Sequence, residues 1–207
     1  MAELMLLQIP VGPMKNFSYL VGDGTSGSAA LIDPGYDVAR VLSEAERKGL
    51  TVDYVICTHS HSDHCSGLKE VRRSTRARVI AHASAPIYKD IPVVDGSKLS
   101  VGNLEALIIH TPGHTKDSIC ILMGNALFTG DTLFVGECGR TDITGGDPSA
   151  MYDSLFQKIL NLDDKIEVYP GHDYGAMPHS TIGFERENNY TLKPRSREEF
   201  LDFMSEP

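Results

Sequence analysis

Short apolar runs separated by polar or glycine-containing turns recur along the chain and predict β-strands. MLLQI, FSYLV and SAALID follow one another, with a GDGTSG turn between the second and the third, as is typical of consecutive antiparallel strands. Further strands are predicted at DYVICT, ARVIA, LEALIIH and KIEVYP, and SICILM with ALFTG forms another pair. The pattern therefore indicates a protein with many strands.

Helical spacing of apolar residues interrupts this pattern at three places. Residues 37–50 predict an amphipathic helix, with Asp37 as its N-cap and Gly49 as its stop. SAMYDSLFQKIL predicts a second helix, and SREEFLDFM a third, in which Ser196 and Glu199 have the spacing of a capping box. Helices interspersed among strands favour an α/β (α+β) fold, with two mixed β-sheets packed together and flanked by helices.

Length and composition are those of an ordinary globular protein. The 207 residues, 41% hydrophobic and 23% charged, are expected to form a single domain over 1–207. A formal net charge of -9 disfavours nucleic acid as a partner, because nucleic-acid binding requires clustered Lys and Arg. The one basic stretch, residues 72–78, is interpreted as the exposed end of a helix and the turn after it.

The N-terminal segment and the cysteines favour a cytoplasmic location. The first ten residues carry Glu3 and lack a basic region, and their apolar run is too short for a signal peptide or a membrane span. The four cysteines show no CxxC spacing, so free thiols are expected at Cys57, Cys65, Cys120 and Cys138. Cys65 is expected to be inert.

A dense group of titratable side chains follows the DYVICT strand, where the chain passes into a helix expected to begin near His64. His59, His61, Asp63 and His64 lie within six positions, although the whole chain contains eight histidines. Three other predicted strands each run into a tight turn that contains glycine and carries one more such residue, namely His114, Asp131 or His172.

Imidazole nitrogens and carboxylate oxygens are suitable ligands for Zn, Fe or Mn, and seven of them exceed the needs of one four-coordinate ion. The sequence therefore predicts two adjacent divalent transition metals, with Asp131 as the bridging carboxylate. A lone histidine at a strand end is usually structural, but the recurrence at four separate turns argues against that explanation. His82, His110 and His179 stand outside these turns, and we expect them to have structural roles.

The segments THSHSDH, TPGHT, FTGDTLF and PGHDY resemble the successive metal-binding motifs of the metallo-β-lactamase superfamily. The resemblance implies an αββα sandwich with the metals at one edge. It also implies two sets of ligands joined by the bridging Asp131: His59, His61 and His114 for one metal, and Asp63, His64 and His172 for the other.

Two longer segments, ECGRTDITGGDPSAMYDSL and PGHDYGAMPHSTIGFERENN, are similar to the glyoxalase II and persulfide dioxygenase group. The similarity implies a hydrolase that cleaves a small thioester, of the glutathione type, with a metal-bound hydroxide. Asp63 would then orient the attacking water or accept its proton.

Two alternatives to hydrolysis stay open. The first is a persulfide dioxygenase that oxidises glutathione persulfide with a single Fe(II) at His59, His114 and Asp131. The chain departs from that family's usual Ala at Ser62 and from its usual Pro at Tyr190. The second alternative, from a different class, is a non-catalytic binding protein stabilised by metal.

Arg140 and Tyr174 lie just beyond predicted ligands, and we expect them to hold a carboxylate and a peptide group of glutathione. A structural salt bridge and a packed tyrosine are the alternatives for these two residues. The expected partner is a small substrate derived from a thiol, with no nucleic acid and no membrane, and a homodimer is left open.

Overall fold

The computed structural model describes residues 3–205 and shows two β-sheets packed face to face, with helices against their outer surfaces. Each of these sheets has six strands and combines parallel with antiparallel neighbours. The expected αββα sandwich with two mixed sheets is therefore confirmed. None of the described helices has the length and apolar character that crossing a membrane requires.

The strands of the first sheet are adjacent in chain order. They are β1 (Leu4–Val11), β2 (Asn16–Asp23), β3 (Ser28–Ile32), β4 (Thr51–Ile56), β5 (Arg78–His82) and β6 (Ile91–Val93). Strands β1 to β3 pair antiparallel and β3 to β6 pair parallel, so β3, β4 and β5 end at one edge of the sheet. The crossovers contain the helices α1 (Val38–Arg47), α2 (Ser62–Cys65) and α3 (Leu68–Ser74).

The second sheet is formed by the later strands. They are β7 (Lys98–Val101), β8 (Leu104–His110), β9 (Ile119–Met123), β10 (Ala126–Gly130), β13 (Glu167–Pro170) and β14 (Ser180–Thr181), and a separate hairpin contains β11 (Leu133–Phe134) and β12 (Glu137–Cys138). Strands β8 and β10 are both antiparallel to β9, and β13 is parallel to β10. Strands β8, β10 and β13 therefore end at the same edge.

Strands that are apolar on both faces produce the four layers. In β2, Tyr19 lies in the core between the sheets, whereas Leu20 joins the cluster under α1. In β10, Phe128 lies between the sheets, whereas Leu127 packs in the cluster under the outer helices of the second sheet. Those helices are α4 (Pro148–Tyr152), α5 (Ile182–Asn188) and α6 (Arg197–Ser205). Burial of both faces explains why these strands read as continuous apolar runs.

The predicted ends of the first helix are half correct. Gly49 adopts a φ of +68° just after α1, as a helix stop requires. Asp37 occupies the predicted N-cap position of α1, but its side chain makes no capping hydrogen bond. With a left-handed backbone at Asp37, the carboxylate does not reach the first N–H groups of the helix and instead accepts hydrogen bonds from the backbone N–H of Gly12 at 3.1 Å and from Arg40 at 3.4 Å.

The two later helix predictions also differ in outcome. The capping box is confirmed, because Ser196 N–H donates to Glu199 Oε2 at 2.7 Å and Glu199 N–H donates to Ser196 Oγ at 3.2 Å. The helix predicted at SAMYDSLFQKIL is not regular. After α4 the chain widens into π-helical turns over Asp153–Lys158 and then tightens into a 3₁₀ turn at Ile159–Asn161.

Candidate metal centre

The predicted ligands come together where strand ends from both sheets meet. His59, His61, Asp63 and His64 follow β4 of the first sheet, whereas His114, Asp131 and His172 follow β8, β10 and β13 of the second. Since β8, β10 and β13 end at the same edge, their turns bring three separated residues together. His59, His64, His114, Asp131 and His172 are buried, and His61 and Asp63 are half-buried.

Two groups of potential ligand atoms correspond to the two predicted sets. His59, His61 and His114 form one group, and Asp63, His64 and His172 form another, with the ligand atoms of each group within 4.8 Å of one another. In the first group, Nδ1 of His61 lies 3.0 Å from Nε2 of both His59 and His114. In the second, Nε2 of His64 lies 3.2 Å from Nε2 of His172.

Asp131 lies between these two groups. Its Oδ1 is 3.3 Å from Nε2 of His64, and its Oδ2 is 3.5 Å from Nε2 of His114 and 3.4 Å from Nε2 of His172. It also forms a third potential ligand group with His59 and His64, one histidine from each predicted set. This position is the one that a carboxylate shared by two ions would need.

The tautomers of three histidines are fixed by acceptors on the far side of each ring. Nδ1 of His114 donates to the backbone carbonyl of Arg140 at 2.9 Å, and Nδ1 of His172 donates to that of Met14 at 2.9 Å. Nδ1 of His64 donates to the carboxylate of Asp33 at 2.9 Å. In each case Nε2 is left to face the centre, which is how proteins orient imidazole ligands.

Asp33 and Thr58 support both ligand sets, although no motif in the sequence indicates this role. Asp33 is 2% exposed, and its carboxylate accepts hydrogen bonds from the backbone N–H and the hydroxyl of Thr58, both at 2.7 Å, in addition to that from His64. Because the Thr58 hydroxyl donates to Asp33, its oxygen accepts from Nδ1 of His59 at 3.1 Å. Asp33 therefore orients His64 directly and His59 through Thr58.

The carboxylates of the centre draw positive charge into it. Burial alone would raise the pKa of Asp131, but the charge of His64 and the hydrogen bond from His172 hold that pKa well below its usual range. Burial opposes protonation of His172, but Asp131 and Asp63 raise its pKa to about 9. Burial likewise opposes protonation of His64, whose pKa is nevertheless raised by Asp131 and Asp33.

His59 and His114 show the opposite behaviour, because burial lowers the pKa of both rings. They are therefore neutral imidazoles at physiological pH, the form that binds metal.

Buried Asp131 provides a test of whether the residues fit a cation. Its Oδ1 accepts no hydrogen bond within residues 3–205, although Nε2 of His64 lies 3.3 Å away. A buried carboxylate oxygen without a hydrogen bond is costly unless another positive group is bound. The geometry and the donor set of five imidazoles and two carboxylates therefore fit one or two transition-metal ions.

A cavity of about 1340 Å³ opens onto this centre. His61, Asp63, His114, Asp131 and His172 all contribute to its wall.

The two predicted substrate residues, Arg140 and Tyr174, also line the cavity. Arg140 is engaged elsewhere, because its Nε and Nη2 donate to the two carboxylate oxygens of Asp142, each at 2.6 Å. Tyr174 stacks on His172, with ring centroids 4.6 Å apart, and remains 49% exposed.

The remaining histidines and the cysteines lie outside the predicted ligand groups. His82 and His110 stack on each other at 3.9 Å, and His179 stacks on Tyr169 at 5.2 Å, in agreement with structural roles. All four cysteines are free. Burial raises the pKa of Cys65 to about 11, which accords with an inert thiol.

Comparison with known proteins gives consistent matches. The family model of the metallo-beta-lactamase superfamily matches residues 11–89 and 84–172. A hydroxyacylglutathione hydrolase of Anaeromyxobacter dehalogenans (strain 2CP-C) is 37% identical over 163 residues, which are 78% of this chain and 62% of that protein. The chain thus spans less than two thirds of that relative.

Two further matches cover nearly the whole chain. The mitochondrial persulfide dioxygenase ETHE1 of Homo sapiens is 34% identical over 211 aligned residues, 98% of this chain and 81% of that protein. The crystal structure of ETHE1 from Myxococcus xanthus superposes with a TM-score of 0.93 at 36% identity, covering 98% of this chain and 92% of that one. The chain therefore belongs to the metallo-beta-lactamase superfamily of enzymes and, within it, to the group that includes hydroxyacylglutathione hydrolases and ETHE1.

Proposed function

We propose that this chain is a metal-dependent hydrolase of the glyoxalase II type, which cleaves the thioester of a small thiol. The observation that carries the proposal is the position of Asp131, whose carboxylate lies within 3.5 Å of histidines from both ligand sets. A complete second set of ligands beside the first favours a centre for two ions. When bound, Zn, Fe or Mn ions would polarise the thioester carbonyl and lower the pKa of a water molecule.

Asp63 is the residue we assign to proton handling. Asn16 Nδ2 donates to its Oδ2 at 2.9 Å, and the same oxygen lies 3.3 Å from His64 and 3.4 Å from His172. Those contacts use Oδ2, so Oδ1 of this half-buried residue in the cavity wall can orient the attacking water and accept its proton. A thiolate leaving group, with a thiol pKa of ~8.5, needs no strong general acid.

We also propose that Arg140 and Tyr174 contact the substrate. Tyr174 presents an exposed ring beside His172, which suits contact with the thiol portion of a thioester. Arg140 can reach a substrate carboxylate through Nη1, which the pair with Asp142 leaves free, or by leaving Asp142. An exposed ion pair contributes roughly 0–1 kcal/mol, so a bound anion can compete for the guanidinium.

A persulfide dioxygenase is the second candidate, favoured by the similarity to ETHE1 over nearly the full chain. In that reaction a single Fe(II) would be held by His59, His114 and Asp131. These residues also converge here, since Asp131 Oδ2 is 3.5 Å from His114 Nε2 and Asp131 groups with His59. His64 and His172 would then support the iron site rather than bind an ion of their own.

The two reactions can be separated by their requirements for oxygen and for the second ligand set. Zinc-loaded protein should cleave lactoylglutathione or a simpler thioester without oxygen. His172→Gln should lower this turnover at least about tenfold, because the second ion loses a ligand. His179→Gln, which alters a histidine outside the ligand groups, is the matched control and should retain it.

The opposite result would favour the second candidate. If no metal supports thioester cleavage, while iron-loaded protein consumes O₂ when given glutathione persulfide, the hydrolase proposal is wrong. If the His172→Gln variant also retains iron and O₂ uptake, the second ligand set does not need to hold an ion.

A further inference from the structure

The cavity that contains the predicted ligands continues well beyond them, as far as helix α6. Five residues form what we call the outer chamber, namely Phe134, Tyr174, Tyr190, Phe203 and Met204. They come from the β11–β12 hairpin, the segment after β13, the turn before α6, and α6 itself. The full cavity of about 1340 Å³ exceeds the roughly 300–1,000 Å³ that is usual for ligand pockets. A short acyl group at the metal centre would leave the outer chamber unfilled.

Large apolar side chains are exposed on the wall of this cavity. Six large hydrophobic residues are exposed in the described part of the chain, and three of them line the cavity: Met14 and Tyr174 at 49% and Tyr190 at 46%. Exposed apolar residues that cluster in one concave site commonly mark a binding surface. The cluster is continuous with the metal centre, because Tyr174 stacks on His172 and contacts Phe134 at 5.3 Å between ring centroids.

The charged groups around the outer chamber already have partners. Arg140 is held by Asp142 through two hydrogen bonds of 2.6 Å. The carboxylate of Glu137 accepts from the Tyr190 hydroxyl at 3.0 Å. The five residues of the outer chamber offer a ligand mainly aromatic ring and thioether surface, whereas other parts of the cavity wall carry polar side chains such as Thr141, Asp142 and Thr144.

Arg195, which flanks the chamber, is engaged as well. Its guanidinium lies 4.0 Å from the centroid of the Phe203 ring. It also donates to the backbone carbonyls of Tyr190 and Thr191 at 3.1 and 3.2 Å. These contacts of Arg195 order the turn and the aromatic wall.

We infer that the outer chamber binds an apolar, uncharged arm of the thioester, either aliphatic or aromatic. The inference rests on the proposed thioester hydrolysis and specifies its substrate class. A glutathione arm carries two carboxylates, which would meet aromatic ring and thioether surface in the outer chamber and the carboxylates of Glu137 and Asp142 on the rest of the cavity wall. An apolar arm gains from burial alone, by a factor of about four for each methylene removed from water.

Two series of substrates test the inference on zinc-loaded protein. The first series lengthens the acyl group from acetyl to hexanoyl on a constant neutral thiol, N-acetylcysteamine. The second keeps the acyl group and replaces N-acetylcysteamine by hexanethiol or by glutathione. We expect kcat/KM to rise on the order of tenfold or more along at least one apolar extension, and the series that responds shows which side of the thioester enters the chamber.

Variants locate the effect. Tyr190→Ala and Phe203→Ala should reduce the ratio of kcat/KM between the long and the short substrate severalfold. Tyr88→Ala is the matched control, because Tyr88 is 55% exposed outside the cavity, donates to a carboxylate and lies under an arginine. It should leave the ratio unchanged. Tyr190→Phe, which keeps the ring, should retain most of the ratio. Wild-type kcat/KM for the short substrate in Phe203→Ala would show that this variant is folded.

Failure of this inference can be distinguished from failure of the proposed function. Equal kcat/KM along both series, or a preference for glutathione over the neutral thiols, overturns the inference while leaving hydrolysis intact. If no thioester is cleaved, the hydrolase proposal fails, and calorimetry with inert thioethers decides the chamber's specificity. S-hexyl-N-acetylcysteamine should then bind at least about tenfold more tightly than its S-methyl analogue, and equal affinities would refute the inference.

Discussion

Replacement of Asp33 by Asn is expected to disturb both ligand sets at once, although Asp33 is not a predicted ligand. The Asp33 carboxylate accepts hydrogen bonds from the backbone N–H and the hydroxyl of Thr58, both at 2.7 Å, and from Nδ1 of His64 at 2.9 Å. Asn keeps the size of the side chain, and it tolerates the left-handed backbone that Asp33 adopts with φ of 51°. The substitution therefore changes hydrogen bonding and charge rather than shape.

The amide group that Asp33→Asn introduces would invert the proton positions of two rings. If the amide oxygen keeps its bond from the backbone N–H of Thr58, the NH₂ group faces the Thr58 hydroxyl and Nδ1 of His64. Each of these atoms must then accept rather than donate, so the proton of His64 moves to Nε2. The Thr58 hydroxyl in turn donates to Nδ1 of His59, which sends that proton to Nε2 as well. Both nitrogens that should bind metal are then blocked.

The expected magnitude follows from these contacts. Loss of a hydrogen bond to a charged group costs roughly 1.5–3 kcal/mol, and two bonds to the Asp33 carboxylate are inverted. We therefore expect the free energy of unfolding to fall by about 2–5 kcal/mol. Changes at residues that orient ligands typically lower metal affinity about 10- to 100-fold, and here the loss should affect both ions.

Competition with a chromophoric chelator measures the two zinc affinities, and ¹⁵N NMR of the histidine rings reports the tautomers. Asp53→Asn is the matched control, because Asp53 is exposed and bonds to Ser28. Thr58→Val removes the hydroxyl that connects Asp33 with His59 and keeps the bond between Asp33 and His64, so it should weaken the first ion more than the second. Wild-type affinities for both ions in folded Asp33→Asn protein would refute the reasoning, as would unchanged His64 and His59 tautomers.

Three further expectations follow from the site and the core. Metal analysis should find close to two ions per chain, and Asp131→Ala should reduce occupancy at both positions, whereas loss of a single ion would contradict a bridging role. Asp142→Ala frees Arg140, so the KM for a glutathione thioester should fall up to about fivefold in steady-state assays, and a further Arg140→Ala change should abolish the gain. Burial raises the pKa values of Cys120 and Cys138 to about 11, from 9.0 for an exposed thiol. Their stabilisation is therefore complete below pH 9 and is lost as the pH rises through 11, by roughly 3 kcal/mol for each thiol. Urea titrations across this range should show the decline, and iodoacetamide should not label these thiols in native protein at pH 8.

The ligands could be predicted from the sequence because each occupies a short motif directly after an apolar strand. Asp33 also follows an apolar strand and precedes Pro34 and Gly35. A single aspartate in such a turn cannot be distinguished by sequence from the acidic residues that turns ordinarily contain. Its role depends on β3 lying parallel and next to β4, which places its carboxylate beside Thr58. Only the pairing of strands provides that information, although the buried strand directly before Asp33 is a usable signal.

Elements whose form depends on tertiary contacts were harder to predict. The short strands β6, β7 and β14 contain two to four residues, too few for a clear alternation of apolar and polar positions. The segment after α4 has a helical apolar pattern, but Leu155 and Ile159 are fully buried against the sheet while the winding changes between them. Propensity indicates a helix there and does not specify its number of residues per turn.

Each predicted ligand set combines residues from both sheets, and this explains what the motifs can and cannot specify. His59 and His64 follow β4 of the first sheet, whereas His114 and His172 follow strands of the second, so a bound ion would link the two layers. The positions of residues that join the two sheets in this way are determined by the fold itself. The outer chamber takes Phe134 and Tyr174 from the motifs FTGDTLF and PGHDY, but its other residues come from helix α6 and the turn before it, which no motif covers. The motifs thus describe the metal ligands completely but the proposed substrate chamber only in part, so the sequence identifies the superfamily more readily than the substrate.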